Sequence, residues 1–354
     1  MKFKIGKTFI GDNLPSFIVA ELSGNHNGEF QRMKKMVFKA KKAGANAVKL
    51  QTYTPDTITL KSNKSDFKII KNDPWKKIGN LWNLYNGAFT PWIWHKKIFR
   101  LARKLKLEVF SSPFDESAVE LLESLNCSAY KIASAEINHI PLLEKVAKTK
   151  KPVILSTGLA NQSDIQFALK TLKKNGCSKI AVLKCISSYP APIEEQNLKT
   201  IADIRKKFNV ISGLSDHTLG ITSAIASVVV GGSIIEKHFN LDDNKKTVDS
   251  FFSIKTEDFK NMVKEIRRAE VALGDVDYNI SLSSRKNINS RRSIYISSKI
   301  NKDEILSTKN TKVIRPNFGL HPKFYKKILG KKVNKTLDKG TRLKLKYIKK
   351  NNKN

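Results

Sequence analysis

The sequence predicts an α/β chain: a closed (β/α)8 TIM barrel followed by a small β-rich module. Three observations predict it. Eight short β-branched or apolar runs recur between Phe17 and Asn240, amphipathic stretches at helical spacing separate them, and both rhythms stop after Gly274. Near-continuous apolar strands alternating with helices read as parallel strands covered on both faces, and eight such units fit a closed barrel better than an open sheet. A length of 354 residues suits one large barrel and one small module.

The elements follow in order. Residues 1–16 are expected to form a hairpin closing the barrel's bottom. The strands are FIVAELSGN from Phe17, AVKLQTY from Ala47, EVFSSPF from Glu108, AYKIASAE from Ala129, PVILSTG from Pro152, KIAVLKCISSY from Lys179, VISGLSDHT from Val210 and SIIEKHFN from Ser233. Helix-like segments such as FQRMKKMVFKAKKAG and SDIQFALKTLKKNG end in Gly, as a helix C-terminus often does. The uncharged stretch from Leu219 to Ile235 reads as a buried helix and then a buried strand. Between Pro55 and Thr90 the rhythm breaks, and Trp75, Trp82, Tyr85 and Phe89 stand in a polar background. This segment is expected to pass over the barrel's mouth, where functional loops concentrate. The barrel domain is placed at 1–275, a polar linker at 276–290 and the terminal module at 291–354, with β-like pieces SIYISS, TKVIRP and TRLKLKYI. Roughly sixty residues make a small independent core, so the module is expected to lean on a barrel, its own or a partner's.

Composition narrows the function classes. Hydrophobic residues at 40% and charged residues at 27% exclude a disordered or fibrous chain. Lys and Arg number 66 against 31 Asp and Glu, a net charge of +35. That balance raises a polyanion partner. The lysines are spread along the whole length rather than gathered in a stripe, so solvated faces account for them and neither nucleic acid nor membrane is expected. Cys127, Cys177 and Cys185 have neither a metal spacing nor an even count, which points to a reducing, cytoplasmic compartment. The N-terminus has no secretory h-region. Scattered glycines form no phosphate loop, so a nucleoside triphosphate site has no support.

Polar residues collect where the strands end, which is where a barrel of this kind places its chemistry. Two histidines on the last two strands, His217 and His238, lie 238 − 217 = 21 residues apart, about one βα unit. They can face one another as ligands of a divalent ion completed by water, Mn2+ or Mg2+ rather than structural zinc. The spacing alone equally fits two unrelated histidines. Lys49 and Lys131 sit inside apolar strands, and buried lysines need partners. Either an anionic ligand answers them, with Ser134, Ser156 and Ser215 as hydroxyl donors, or each pairs with a glutamate, Glu21 or Glu136. His26 is placed to touch substrate, whereas His95 and His139 read as structural. A nucleic-acid-binding protein or a noncatalytic barrel would leave this inward cluster without a role.

The motifs AELSGNH, VKLQTY, SSPF, YKIASAE, STG, SSYP, GLSDHT and EKHF, then RPNFGLHP in the tail, resemble the sialic acid synthase family, whose members condense phosphoenolpyruvate with an amino sugar. The tail is similar to the antifreeze-like (SAF) module of those synthases. AELSGNH, QTYTPDTITL and GLHPKFY look most like the pseudaminic acid branch, whose substrate is a 2,4-diacetamido-2,4,6-trideoxy-altrose. The neuraminic and legionaminic branches are the alternatives. The resemblance implies His217 and His238 as metal ligands, for Mn2+ first and Mg2+ or Co2+ otherwise. It implies Lys49, Ser112, Lys131, Ser134, Ser156 and Ser215 as phosphoenolpyruvate contacts, with Ser187 where the sialic acid branch has an asparagine. Glu21, Tyr189 and Asp249 match positions near the sugar, and Glu136 matches the glutamate that handles protons. Arg315 matches an arginine reaching the sugar's acyl-amino group from the other subunit, which implies a domain-swapped homodimer.

Overall fold

The computed structural model describes residues 1–70, 73–243 and 245–350. Strands β1 (Lys2–Ile5) and β2 (Thr8–Gly11) form the expected hairpin, paired Lys2↔Gly11 to Ile5↔Thr8. Its turn holds Gly6 at φ +57°, and a Cβ there would collide with the Glu108 carboxylate. Glu108 accepts from the Lys7 amide at 2.8 Å, which pins the hairpin to a strand's N-terminal end, the bottom of the barrel.

The eight expected strands all form. They are β3 (Phe17–Glu21), β4 (Ala47–Thr52), β5 (Glu108–Pro113), β6 (Tyr130–Ile132), β7 (Val153–Ser156), β8 (Ile180–Cys185), β9 (Ile211–Asp216) and β10 (Ile234–Asn240). All pair in parallel, and β10 bonds to both β9 (Ile234↔Gly213) and β3 (Ile234↔Phe17), which closes the barrel. A two-residue strand, β11 (Ile254–Lys255), extends β10. The helices are α1 (Phe30–Lys42), α2 (Pro55–Ile58), α3 (Leu81–Ala88), α4 (Trp92–Lys104), α5 (Glu116–Ser124), α6 (Ile140–Lys148), α7 (Gln162–Lys174), α8 (Thr200–Phe208), α9 (Thr222–Val229) and α10 (Thr256–Leu273). Each of the longer ones buries one stripe: in α1 Met33, Met36, Val37 and Ala40 face inward while the intervening lysines stay in water. Asp115 and Asn161 cap α5 and α7 with their side chains, satisfying amides the helix itself leaves open.

The excursion after β4 contains α2, α3 and two 3-10 turns. Trp75 brings it over the mouth, donating from Nε1 to the Val248 carbonyl at 2.9 Å. Trp82 instead donates to Asp56 within the same segment, where Lys61 sits 4.7 Å from the indole ring.

Residues Met1–Gly274 form one compact unit and Asp275–Asn354 a second. The polar stretch after Gly274 is not featureless: Ser281 caps a short helix, α11 (Leu282–Arg285). In the second unit β12 (Ser293–Ile296) runs antiparallel to β13 (Thr311–Ile314), and a one-turn helix α12 (Tyr325–Ile328) follows. The third β-like piece, TRLKLKYI, is no strand. It makes two isolated bridges, Arg342 to Tyr295 and Ile348 to Val333, on either side of a 3-10 turn at Leu345–Tyr347, because the alternating lysines leave only Leu343 and Ile348 to bury. This unit carries its own apolar cluster, from Ile294, Ile296 and Ile300 to Leu337 and Leu343. Burying each such side chain contributes roughly 1.5–3 kcal/mol. Among the described residues no helix is long and apolar enough to cross a membrane.

Candidate active site

The strand ends converge as a polar rim. Period-two alternation on β10 turns Glu236 and His238 into the barrel and Lys237 outward. The Lys237 ammonium donates to Asp216 Oδ2 and the Thr218 carbonyl, both at 2.6 Å, which ties the end of β9 to β10.

Inside, two lysines and two glutamates form one cluster. Lys49 Nζ lies 2.9 Å from both Glu21 Oε2 and Glu236 Oε1. Lys131 Nζ reaches the same Glu236 oxygen at 3.1 Å, and Ser215 donates to it at 3.2 Å. The expectation that a lysine pairs with Glu21 is met for Lys49. The pairing with Glu136 is not: the shared acid is Glu236, on the strand opposite β6. Burial works against the Lys49 ammonium, but Glu21 and Glu236 outweigh it and hold its pKa above the ordinary lysine value. Burial dominates at Lys131 and lowers its pKa despite Glu236. Burial would raise Glu236, yet the two lysines keep it below the usual carboxylate range. Two cations and two anions balance, so an incoming anion meets ammonium groups already occupied by protein carboxylates.

Hydroxyls ring this cluster. Ser112 and Ser156 are buried, and neither oxygen has a partner. Ser134 accepts from the Gly158 amide at 2.9 Å. A Cβ at Gly158 would stand 2.3 Å from Ser187 Oγ and 2.9 Å from Ser134 Oγ, so only glycine lets the two hydroxyls approach there. Ser187 lies on the loop after β8 rather than in the strand, which ends at Cys185.

Glu136 follows β6 on a 3-10 turn, and its Oε2 is buried without a partner. Burial raises its carboxyl pKa to about 7. It lines a cavity of about 410 Å³ together with Thr57, Phe114 and His139.

The two histidines face each other with ring centroids 5.4 Å apart. His217 Nδ1 is 2.8 Å from the Ile186 carbonyl, which assigns the proton to Nδ1 and leaves Nε2 its lone pair. His238 Nδ1 has no hydrogen-bond partner, and Asp249 Oδ2 stands 3.5 Å away. Cys185 Sγ is 3.8 Å from His217. Among the described residues no group of three or more His, Cys, Asp or Glu is gathered as a metal cage. A pair of imidazoles with an unpartnered ring nitrogen fits a divalent ion whose other positions go to water and substrate.

Aromatic rings wall this side. Tyr189 packs 4.5 Å from His217, 4.9 Å from Phe252 and 5.5 Å from Trp75, and Phe252 packs 4.8 Å from His238. Tyr189, Asp249, His217 and His238 therefore share one neighbourhood. Arg315 is an exposed residue of the second unit. His26 does not face the site: it is buried, hydrogen-bonded to Thr90 at 3.2 Å and to the Gly28 amide, and set edge-on to Trp94. Its loop position suggested substrate contact, but the chain folds it inward. Sequence reading placed Glu236 among the polar residues that end strand eight and Cys185 among the free cysteines, and gave neither these two nor Phe252 a role in the site. Glu236 alone carried a signal, as a charged residue after two isoleucines in a buried strand.

Comparison with known proteins extends the picture. The model of the NeuB family matches residues 36–278. The pseudaminic acid synthase of Campylobacter jejuni subsp. jejuni serotype O:2 is 45% identical over 93% of this chain and 95% of its own. The N,N'-diacetyllegionaminic acid synthase of the same strain is 37% identical over 89% and 95%. The crystal structure of N-acetylneuraminic acid synthetase from Leptospira borgpetersenii serovar Hardjo-bovis superposes with a TM-score of 0.71 at 29% identity, over 81% of this chain and 95% of that one. The chain belongs to the NeuB family, the sialic acid synthases that its strand-end motifs resemble.

Proposed function

We propose that this chain condenses phosphoenolpyruvate with 2,4-diacetamido-2,4,6-trideoxy-L-altrose and water, giving pseudaminic acid and phosphate. The observation that carries the reaction class is the convergence of Lys49, Lys131 and Ser215 on one point inside the rim. The sugar is chosen on relatedness: 45% identity to a pseudaminic acid synthase against 37% to a legionaminic acid synthase of the same strain.

The residues divide the work. Lys49 and Lys131, with the hydroxyls of Ser112, Ser134, Ser156, Ser187 and Ser215, bind the phosphate and carboxylate. Carbon 3 of phosphoenolpyruvate then attacks the aldehyde of the open-chain sugar, and carbon 2 becomes oxocarbenium-like. Glu136 removes a proton from the water that captures carbon 2, and phosphate leaves with C–O cleavage. A pKa near neutrality suits that base. Glu21, Tyr189 and Asp249 hold the sugar. Fixing both reactants in attack geometry can lower the barrier by about 7–11 kcal/mol. His217 and His238 hold a divalent ion, Mn2+ foremost, whose chemistry when bound is to polarise the sugar's carbonyl oxygen as a Lewis acid. Trp75 and Phe252 exclude water from the developing cation.

Arg315 completes the sugar site from a second copy in a domain-swapped homodimer, on the strength of its motif, RPNFGLHP. Three free, buried cysteines suit a reducing cytoplasm.

The test is to incubate the chain, Mn2+ and phosphoenolpyruvate with the trideoxy altrose derivative, the legionaminic precursor and N-acetylmannosamine in turn, and to measure phosphate release. Turnover confined to the first supports the proposal. Preference for either other sugar reassigns the substrate, and release from none refutes the reaction class.

A further inference from the structure

Each of the two imidazoles that face one another at the rim is preceded in the chain by one member of a buried ion pair. Asp216 stands before His217 and Lys237 before His238, and the two side chains are 0% and 2% exposed. Ser215 and Glu236, one residue earlier on each strand, turn inward, where their side chains meet at 3.2 Å, so alternation sends Asp216 and Lys237 to the outer face of the sheet. The ladder between β9 and β10 ends at the register Lys237↔Asp216. His217 therefore lies one residue past its last rung, whereas His238 is still in register with Glu21 of β3.

Past that rung a ring of side-chain bonds takes over. Asp216 Oδ1 accepts from the Thr218 amide at 2.9 Å and from the Thr218 hydroxyl at 2.8 Å, closing a turn around His217. Lys237 Nζ donates to Asp216 Oδ2 and to the Thr218 carbonyl, both at 2.6 Å, so one ammonium grips the residues on both sides of His217. The imidazole and carbonyl of His217 are held from the loop after β8, by the Ile186 carbonyl at 2.8 Å and the Ala191 amide at 3.0 Å. Lys237 joins the His217 turn to β10, the strand that carries the second histidine. Stability alone does not call for such a pair: burial strips both partners of water, and apolar side chains of similar volume in their place are often neutral or stabilising.

We propose that Lys237 is a positioning residue for the metal site, its ammonium setting the spacing of the His217 and His238 imidazoles by clamping the turn around the first from the residue that precedes the second. The proposal rests on the reading of these histidines as metal ligands and adds the group that fixes their separation. Outer partners that orient metal ligands are worth about 10–100-fold in metal affinity. The anion pocket lies on the inner face of the same strands and does not depend on this clamp.

The test compares, in the intact chain, Mn2+ binding followed by electron paramagnetic resonance with phosphoenolpyruvate binding followed by calorimetry without metal. Lys237→Met alone leaves the Asp216 carboxylate buried and unpaired, which can unfold the chain. The decisive variant is therefore Asp216→Asn combined with Lys237→Met: asparagine keeps an acceptor for Thr218, no charge is stranded, and the tie to β10 is cut. The Kd for Mn2+ is expected to rise about tenfold or more, while that for phosphoenolpyruvate stays within about twofold of the parent. Unchanged Mn2+ affinity in the double variant would overturn the proposal and leave the histidines as ligands. Equal weakening of both ligands, or loss of the fold in the double variant, would make the pair a general support of the rim and overturn it too. A parent chain that binds no Mn2+ would remove the metal reading and the clamp together.

Discussion

Lys131 and Glu236 meet across the whole width of the barrel, Nζ to Oε1 at 3.1 Å, from strands that lie opposite one another. Glu236 is the only carboxylate within 4 Å of the Lys131 ammonium among the described residues. Removing one partner of a buried pair leaves the other charge uncompensated, at a cost of about 3–5 kcal/mol. Glu236→Gln should therefore lower the stability of the ligand-free chain by that order in urea denaturation. Phosphoenolpyruvate, which restores negative charge beside Lys131, should raise the melting temperature of the variant more than that of the parent. Equal stabilisation of the two would show that the ligand does not approach this lysine.

Glu136 acts as a base only when ionised. Burial raises its pKa to about 7 in the ligand-free chain, so below that pH the carboxyl holds its proton and cannot accept another. The rate under limiting substrate should rise about tenfold per unit below pH 7 and level off above it. Glu136→Gln should lower kcat by about 10²–10⁴-fold and abolish this limb. A variant that keeps the limb assigns it to another group.

Much of this site was legible because burying a polar side chain in an apolar strand is costly. Lys49 and Lys131 interrupt apolar runs, and Ser215, His217 and His238 stand where apolar strands end, so each asks for a partner. The acid shared by the lysines was not legible, since Glu236 lies 187 and 105 positions from its partners and only barrel closure joins them. Trp75 was read as covering the mouth, but its anchor at Val248 is 173 positions away and has no local signal. The misread strand TRLKLKYI alternates as a strand should. Its neighbours give it two separate bridges rather than a ladder, a tertiary fact that periodicity does not carry.

The His217 and His238 rings stand 5.4 Å apart, and among the described residues no group of three or more His, Cys, Asp or Glu is gathered there as a cage, so the proposed ion depends on both imidazoles. His238→Ala should abolish the binding of Mn2+ measured by electron paramagnetic resonance and, with it, metal-stimulated phosphate release. Chelator-treated parent protein should be inactive and recover with added Mn2+. Full metal stimulation in His238→Ala would remove this residue from the ligand set.

His26 and His95 predict how the chain responds to acid. Both are fully buried, held by Thr90 and Thr52 through their Nε2 atoms at 3.2 and 2.9 Å. Burial lowers the pKa of each to about 4, with the neighbouring His95 adding to the effect on His26. In the unfolded chain the same rings titrate near 6.5. Between those values the unfolded state binds more protons than the folded state, so stability falls as pH drops from about 6.5 towards 4 and the loss is complete below it. Each ring contributes on the order of 3 kcal/mol to that fall, at about 1.4 kcal/mol per pKa unit. Glutamine can donate to the same threonine hydroxyl without titrating. His95→Gln should therefore cost some stability at pH 7.5 through imperfect packing, and then lose less of what remains on acidification. Urea midpoints for the parent and the variant at pH 7.5, 5.5 and 4.5 make the comparison, in which carboxylate titration is common to both and cancels. Parallel curves would mean that the buried ring at position 95 titrates in the folded chain as it does in the unfolded one, contrary to its surroundings.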